Sequence, residues 1–251
     1  MSNILLIDQF KMRGESMTRI EAFVAASFAF AVTMMVISVG SIPASMDEFV
    51  TAAKQIPSFI ASCALIIWIW HTHAVWSRRY GLEDAGTITL SSSLIVLVLI
   101  YIYPLRLMMQ GLFQSISFGY LPLKLEFHAF WEVRFMFAFY AIGFLLMSAN
   151  FIGLYWHALR KKEALCLSVF EIFDTKSAIY LWSASAAICV LSLVLDMTLP
   201  DNLVGLAGYI FFITHPVLIL TGRARRKRRT QLLQQIQTKS LNSERADEVQ
   251  N

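Results

Sequence analysis

Apolar residues run along this chain in long blocks, separated by short polar stretches. After Arg19 and Glu21 no charged side chain occurs before Asp47. That block, 20–41, is followed by five more at 57–76, 87–109, 135–157, 178–197 and 203–221. Each is near the length of about 20 residues that a helix needs to cross a bilayer's hydrocarbon core. They are apolar around the whole circumference, which marks spans rather than half-buried amphipathic helices. Strands of a membrane barrel would alternate over about 10 residues, and these blocks do not. The pattern predicts an all-α fold, a polytopic six-transmembrane-helix membrane protein.

Composition agrees with that reading. Of the 251 residues 57% are hydrophobic and only 15% charged, where a soluble domain keeps about 25% charged. Charge adds orientation. The 21 basic residues divide 17 to 4 between the two sides of a six-span topology. The rich side holds Arg78 and Arg79, the run from Arg160 to Lys162, and the cluster from Arg225 to Arg229. Since Lys and Arg collect on the cytoplasmic side of short loops, both termini are expected there. The division expected is a cytoplasmic N-terminal segment over 1–18, a six-helix transmembrane domain over 19–222 and a basic, polar cytoplasmic tail over 223–251. The first block is too long for a typical signal-peptide core, so it is read as a retained span. The basic cluster of the tail acts as a stop-transfer signal that attracts anionic membrane lipid, and no nucleic-acid partner is implied. Cys63, Cys166 and Cys189 lie in or beside apolar blocks without Cys-x-x-Cys spacing, and point to neither a disulfide framework nor a zinc site.

Few side chains offer chemistry. On a helix, Phe30, Met34 and Ile37 share one stripe, Phe23 and Ala26 extend it, and Thr33 lies beside it. Such a stripe suits a lipid-facing or packing ridge, or a pore wall whose apolar side chains form a constriction that gates by dewetting. Ala22, Ala25, Ala26, Ala29 and Ala31 permit close helix contact, which both readings need. In the second block Trp70 and His73 share a face, whereas His71 and His73 are too far apart around the helix to clamp one metal ion. For His73, deep in an apolar block, the expected partners are Arg19, Asp84 and the hydroxyls of Ser91 to Ser93, a polar network tying three helix ends together. Asp196 and Asp201 read as solvated carboxylates at span ends. The segment 110–134, rich in aromatics and broken by Gly119 and Pro122, reads as a long connection at the headgroup level or packed against helix ends, with a binding lid as the alternative. His215 before Pro216 suggests a kink. No nucleophile elbow, zinc motif, phosphate loop or pair of acids within a span occurs, so no enzyme and no cofactor is expected.

With these residues in place, the chain resembles the transmembrane protein 175 family, the endosomal and lysosomal potassium channels and their single-repeat prokaryotic relatives. The likeness is carried by "TRIEAFVAASFAFAVTMMVISV", by Trp70-x-x-His73, by Asp84 and by Tyr103-Pro104. The family pattern Arg-x-x-x-Phe-Ser-Asp is kept at Arg19 and Phe23, while Val24 and Ala25 replace its serine and aspartate. The resemblance implies that the first span lines a central pore, with Phe30, Met34 and Ile37 as pore constriction and Thr33 as pore lining. It implies Arg19, Phe23, Trp70, His73 and Asp84 as a bracing network. It further implies a homotetramer in the plasma (inner) membrane of a prokaryote, conducting potassium or other monovalent cations without a Thr-Val-Gly-Tyr-Gly filter. Two alternatives stand beside that reading. One is a non-conducting structural or sensory membrane protein whose basic tail binds lipid or a partner. The other is a proton-coupled transporter using His73 and His215.

Overall fold

The computed structural model describes residues 10–14, 16–38, 42–123 and 125–205 of the chain, with single positions at 208, 210, 225 and 231. Among them six α-helices form: α1 Arg19–Ile37, α2 Met46–Lys54, α3 Ile56–Tyr80, α4 Ala85–Ile116, α5 Phe130–Arg160 and α6 Val169–Thr198, followed by a 3-10 turn at Asp201–Leu203. All except α2 are long and apolar enough to cross a membrane. The protein is therefore an all-helical, multi-pass integral membrane protein. The sixth expected span, 203–221, lies almost entirely outside the described residues, as does the tail over 223–251.

Helix starts follow local side-chain chemistry. The Thr18 hydroxyl accepts from the Glu21 amide at 3.0 Å, and the Asp84 carboxylate accepts from the Thr87 amide at 2.8 Å. Each satisfies an amide left over in the first helical turn. Ser168 and Glu171 form a reciprocal capping box at the start of α6. Gly81 ends α3 in the left-handed region at φ 59°, and a side chain there would meet the backbone of Arg13 at 2.9 Å. Only glycine fits both the conformation and the space.

Two elements differ from the hydropathy reading. Helix α2 is short and amphipathic, so an apolar-block search passes over it, although Ser45 and Glu48 carry the spacing of an N-terminal cap. Helix α4 runs past residue 109 to Ile116, through Pro104, and α5 begins at Phe130. The supposed connection 110–134 is thus helical at both ends. Leu112, Phe113 and Ile116 keep the helical apolar spacing beyond Gln110, and the helix ends at Ile116, just ahead of Phe118 and Gly119 in the left-handed region at φ 52° and 86°.

Helix α1 packs on α3 and α4, α4 on α5, and α5 on α6, the last two forming an extensively packed hairpin. The core joins Phe28 and Met35 of α1 to Ile66 and Trp76 of α3, Leu94 and Val98 of α4, and Phe151 of α5. Trp182 of α6 stacks on Phe151 with ring centres 4.3 Å apart. Where α4 meets α5, the Tyr101 hydroxyl donates to the Tyr140 carbonyl at 2.8 Å. A side chain at Gly143 would meet the Tyr101 ring at 2.3 Å, so a glycine is required there. Asp196 is not a solvated carboxylate; it is buried in α6. Beside it the Arg134 guanidinium donates to the carbonyls of Asp196 and Leu199 and to the Asp201 carboxylate, the last at 2.8 Å.

Candidate functional site

Helix α1 carries two apolar stripes of the same 3-4 spacing on opposite sides. Val24, Phe28, Ala31 and Met35 are buried against α3 and α4, the last two at 0% exposure. Phe23, Ala26, Phe30, Thr33 and Ile37 face away from the protomer, with Phe23 58%, Phe30 56% and Ile37 61% exposed. Such spacing along a straight helix presents one continuous seam to whatever lies outside. Met34 sits at the edge, half-buried and packed against the core. The Thr33 hydroxyl donates to the Ala29 carbonyl of its own helix at 3.0 Å, so it lies on the open face without an unsatisfied donor.

Both ends of α1 are tied down, by different means. At the Arg19 end the buried Glu21 carboxylate accepts from the Ser77 hydroxyl at 3.2 Å and faces Arg78 of α3 at 3.6 Å. The segment ahead of α1 is anchored as well. The amides of Arg13 and Gly14 donate to the Arg78 carbonyl at 3.1 and 3.0 Å. The Arg13 guanidinium holds Glu171 of α6 in a fork, at 2.8 and 2.9 Å, and the Lys11 amide adds a third donor at 3.0 Å. Paired parallel bonds of this kind are among the stronger protein hydrogen bonds. Phe10 meets the edge of Tyr80 and lies beneath the Arg79 guanidinium, 4.8 Å from its ring centre.

At the Ile37 end the anchor is Arg106 of α4, 4% exposed. Its guanidinium donates to the Ser38 hydroxyl and, at 3.0 Å, to the Gln55 side-chain oxygen. Gln110, one turn further along α4, shares that oxygen at 3.4 Å. Ser38 caps the C-terminus of α1 and Gln55 stands at the N-terminus of α3. One arginine therefore joins three helices.

The residues expected to brace α1 fall into separate groups. His73 is buried, and its Nε2 lies 2.9 Å from the Ser91 hydroxyl of α4, within the Ser91–Ser93 stretch named for it. The His73 ring also packs beside Trp76 at 6.0 Å. Asp84 is not brought to His73. It caps α4 and receives His157 of α5 at 2.9 Å together with Lys161. Burial pushes the Asp84 carboxyl up, but the hydrogen bonds from Lys161, the Thr87 amide and His157 outweigh it and hold the group well below the usual carboxylate range. Arg19, Phe23 and Trp70 are exposed, and the Arg19 side chain has no hydrogen bond or ion pair among the described residues. Glu21, two positions on, is the charged residue that turns inward. Where the family pattern has an aspartate at the position of Ala25, this chain places a carboxylate one turn earlier on nearly the same side of the helix. Sequence reasoning passed over Glu21, Arg13 and Arg106. For Arg106 a signal existed, because an arginine inside an apolar run is costly unless it has buried partners.

Similarity to known proteins follows this geometry. The pattern of the family described as Endosomal/lysosomal potassium channel TMEM175 matches residues 19–104, from the start of α1 into α4. A protein of Marivirga tractuosa named "Potassium channel" is 31% identical over 233 residues, covering 90% of this chain and 94% of its own length. Among solved structures, a threonine-to-alanine variant of the potassium channel MtTMEM175, in complex with a Nanobody–MBP fusion protein, superposes with a TM-score of 0.75. It is 30% identical and covers 88% of this chain and 98% of its own. Likeness in sequence and fold over about nine-tenths of its length makes this chain a member of the TMEM175 family.

Proposed function

We propose that the protein is a potassium channel whose pore is lined by α1 from four copies of the chain, in the plasma (inner) membrane of a prokaryote with both termini cytoplasmic. The observation that carries this reading is the open seam of α1. A helix at the edge of its own bundle leaves Phe23, Ala26, Phe30, Thr33 and Ile37 uncovered, in the region where the family likeness begins. Four such seams around one axis form a neck whose apolar layers at Phe30 and Ile37 dehydrate and gate passing cations. Met34 flanks that neck from the edge of the seam, and Thr33 supplies its hydroxyl between the two layers. Selectivity comes from the width and apolarity of this neck, since the chain contains no Thr-Val-Gly-Tyr-Gly segment.

The bracing of α1 follows the same logic. Glu21 and the anchored segment before α1 fix the Arg19 end, while His73 with Ser91, and Asp84 with His157, hold α3, α4 and α5 behind it. Lipid covers the outward apolar faces of the other spans, and the basic tail meets anionic headgroups. The protein is a conduit, not an enzyme, and needs no cofactor.

Purified protein in potassium-loaded liposomes tests the reading. Potassium efflux is expected from the unaltered chain and should rise when Met34 or Ile37 is shortened to alanine. Absence of efflux from every variant would favour a structural or sensory membrane protein instead.

A further inference from the structure

We infer that Arg106 is a positioning residue for the neck: it sets the place of Ile37 by holding the C-terminus of α1. The inference rests on the reading of α1 as the pore wall, and adds the group that governs the neck's last layer.

Arg106 lies in the apolar helix α4, is buried, and has no ion pair among the described residues. A cation in that setting is expensive, and its retention calls for specific partners. Its partners are the ends of two other helices. The guanidinium donates to the Ser38 hydroxyl, which in turn donates to the Met35 carbonyl at 2.6 Å, so Ser38 has lone pairs free to receive Arg106. Ser38 also caps α1 through its amide, bonded to the Met34 carbonyl at 3.0 Å.

Helix α1 has no basic residue in its own last turn, so the negative end of its dipole is met by Arg106 from the neighbouring helix. Neither lysine nor glutamine reproduces this arrangement. Lysine offers a point charge where the planar fork spans Ser38 and Gln55 together, and glutamine lacks the charge. Ile37, the last layer of the seam, is the residue next to Ser38. The Arg19 end of α1 is held by several carboxylate, amide and aromatic contacts. At the Ile37 end, among the described residues, the polar tie to the other helices runs through this one side chain, with Gln110 supporting Gln55 behind it. Freed from Arg106, that end of α1 can shift, and Ile37 shifts with it.

The full chain in liposomes provides the test, with potassium efflux measured for Arg106→Met, Arg106→Lys, Ser38→Ala, Ile37→Ala and Phe30→Ala, and for Arg106→Met and Ser38→Ala each combined with Ile37→Ala. Arg106→Met is expected to raise efflux about tenfold, the factor corresponding to one lost charge-assisted hydrogen bond. Ser38→Ala should act in the same direction, and Arg106→Lys should restore part of the native behaviour. In the Ile37→Ala background neither change should add anything, because the layer through which they act is already gone. A purely structural arginine predicts a different result, with effects that multiply regardless of Ile37, and that result would overturn the inference. So would unchanged efflux in Ser38→Ala, which decides the matter even if Arg106→Met does not assemble. Should Ile37→Ala and Phe30→Ala themselves leave efflux unchanged, the pore assignment fails first. Should those two raise efflux while Arg106→Met and Ser38→Ala do not, only the role of Arg106 fails.

Discussion

The two faces of α1 are alike in composition and opposite in circumstance. Val24, Phe28, Ala31 and Met35 are enclosed by α3 and α4, whereas Phe23, Phe30 and Ile37 lie open on the same helix. The enclosed face is a packing surface, where each side chain is fixed by neighbours of its own protomer. The open face is free of such demands and takes its meaning from what covers it. Both faces are apolar, so only the packing separates the stripe that the protomer covers from the one it leaves open.

Substitution on each face sharpens that contrast, and the enclosed face should show the largest effect. Phe28→Ala leaves a cavity in a closed core and should cost about 3–5 kcal/mol, read as a lowered melting temperature in detergent. Phe30→Ala, an identical chemical change two residues along, should alter protomer stability by no more than about 0.5 kcal/mol while raising potassium efflux. Equal losses at the two positions would erase the distinction between the faces.

An intermediate effect is expected at the buried acid that joins the enclosed face to α3. Glu21→Ala removes the acceptor of the Ser77 hydroxyl and the partner of Arg78, at a cost of about 1–3 kcal/mol. Most of that loss comes from the buried hydroxyl, because Arg78 is largely exposed and its pairing counts for little. Arg19→Ala, on the opposite side of the helix, should leave the melting temperature unchanged. If Arg19→Ala proves the more damaging of the two, the assignment of the brace to Glu21 is wrong.

The smallest effect concerns the outer wall of the bundle, away from α1. Asp84 has a lowered pKa in the folded protein, so its contribution to stability is complete above the ordinary carboxylate value of about 4. That contribution declines as pH falls from there through the folded value. Thermal stability measured from neutral to acid pH should therefore drop below about pH 4, and Asp84→Asn should flatten that part of the profile. An unaltered acid profile in Asp84→Asn would place the acid sensitivity elsewhere.

The five described spans were legible in the sequence because length and all-round apolarity are dictated by the bilayer. Helix α2 and the extension of α4 to Ile116 were not, since the first is amphipathic and the second begins at Gln110 and Gly111, which resemble a break. Phe30, Met34 and Ile37, extended by Phe23 and Ala26, were visible as a stripe with Thr33 beside it, but Met34 turns partly into the core and a second apolar stripe runs down the other side of α1. Which of them the protomer covers is a matter of tertiary packing. His73 found its partner in the predicted serine stretch because a buried imidazole must pair with something polar nearby. Arg19 and Glu21, by contrast, are two positions apart and hence on different sides of the helix; choosing which one turns inward required the position of Ser77 on α3.

The most direct measurement is a structure of the assembled protein in a lipid bilayer, with the distance of each α1 side chain from the symmetry axis read off. The account predicts four copies, with Phe30, Thr33 and Ile37 nearest the axis around a continuous passage, and Phe28 and Met35 behind them. Phe30 and Ile37 found against lipid, with no passage between protomers, would contradict it.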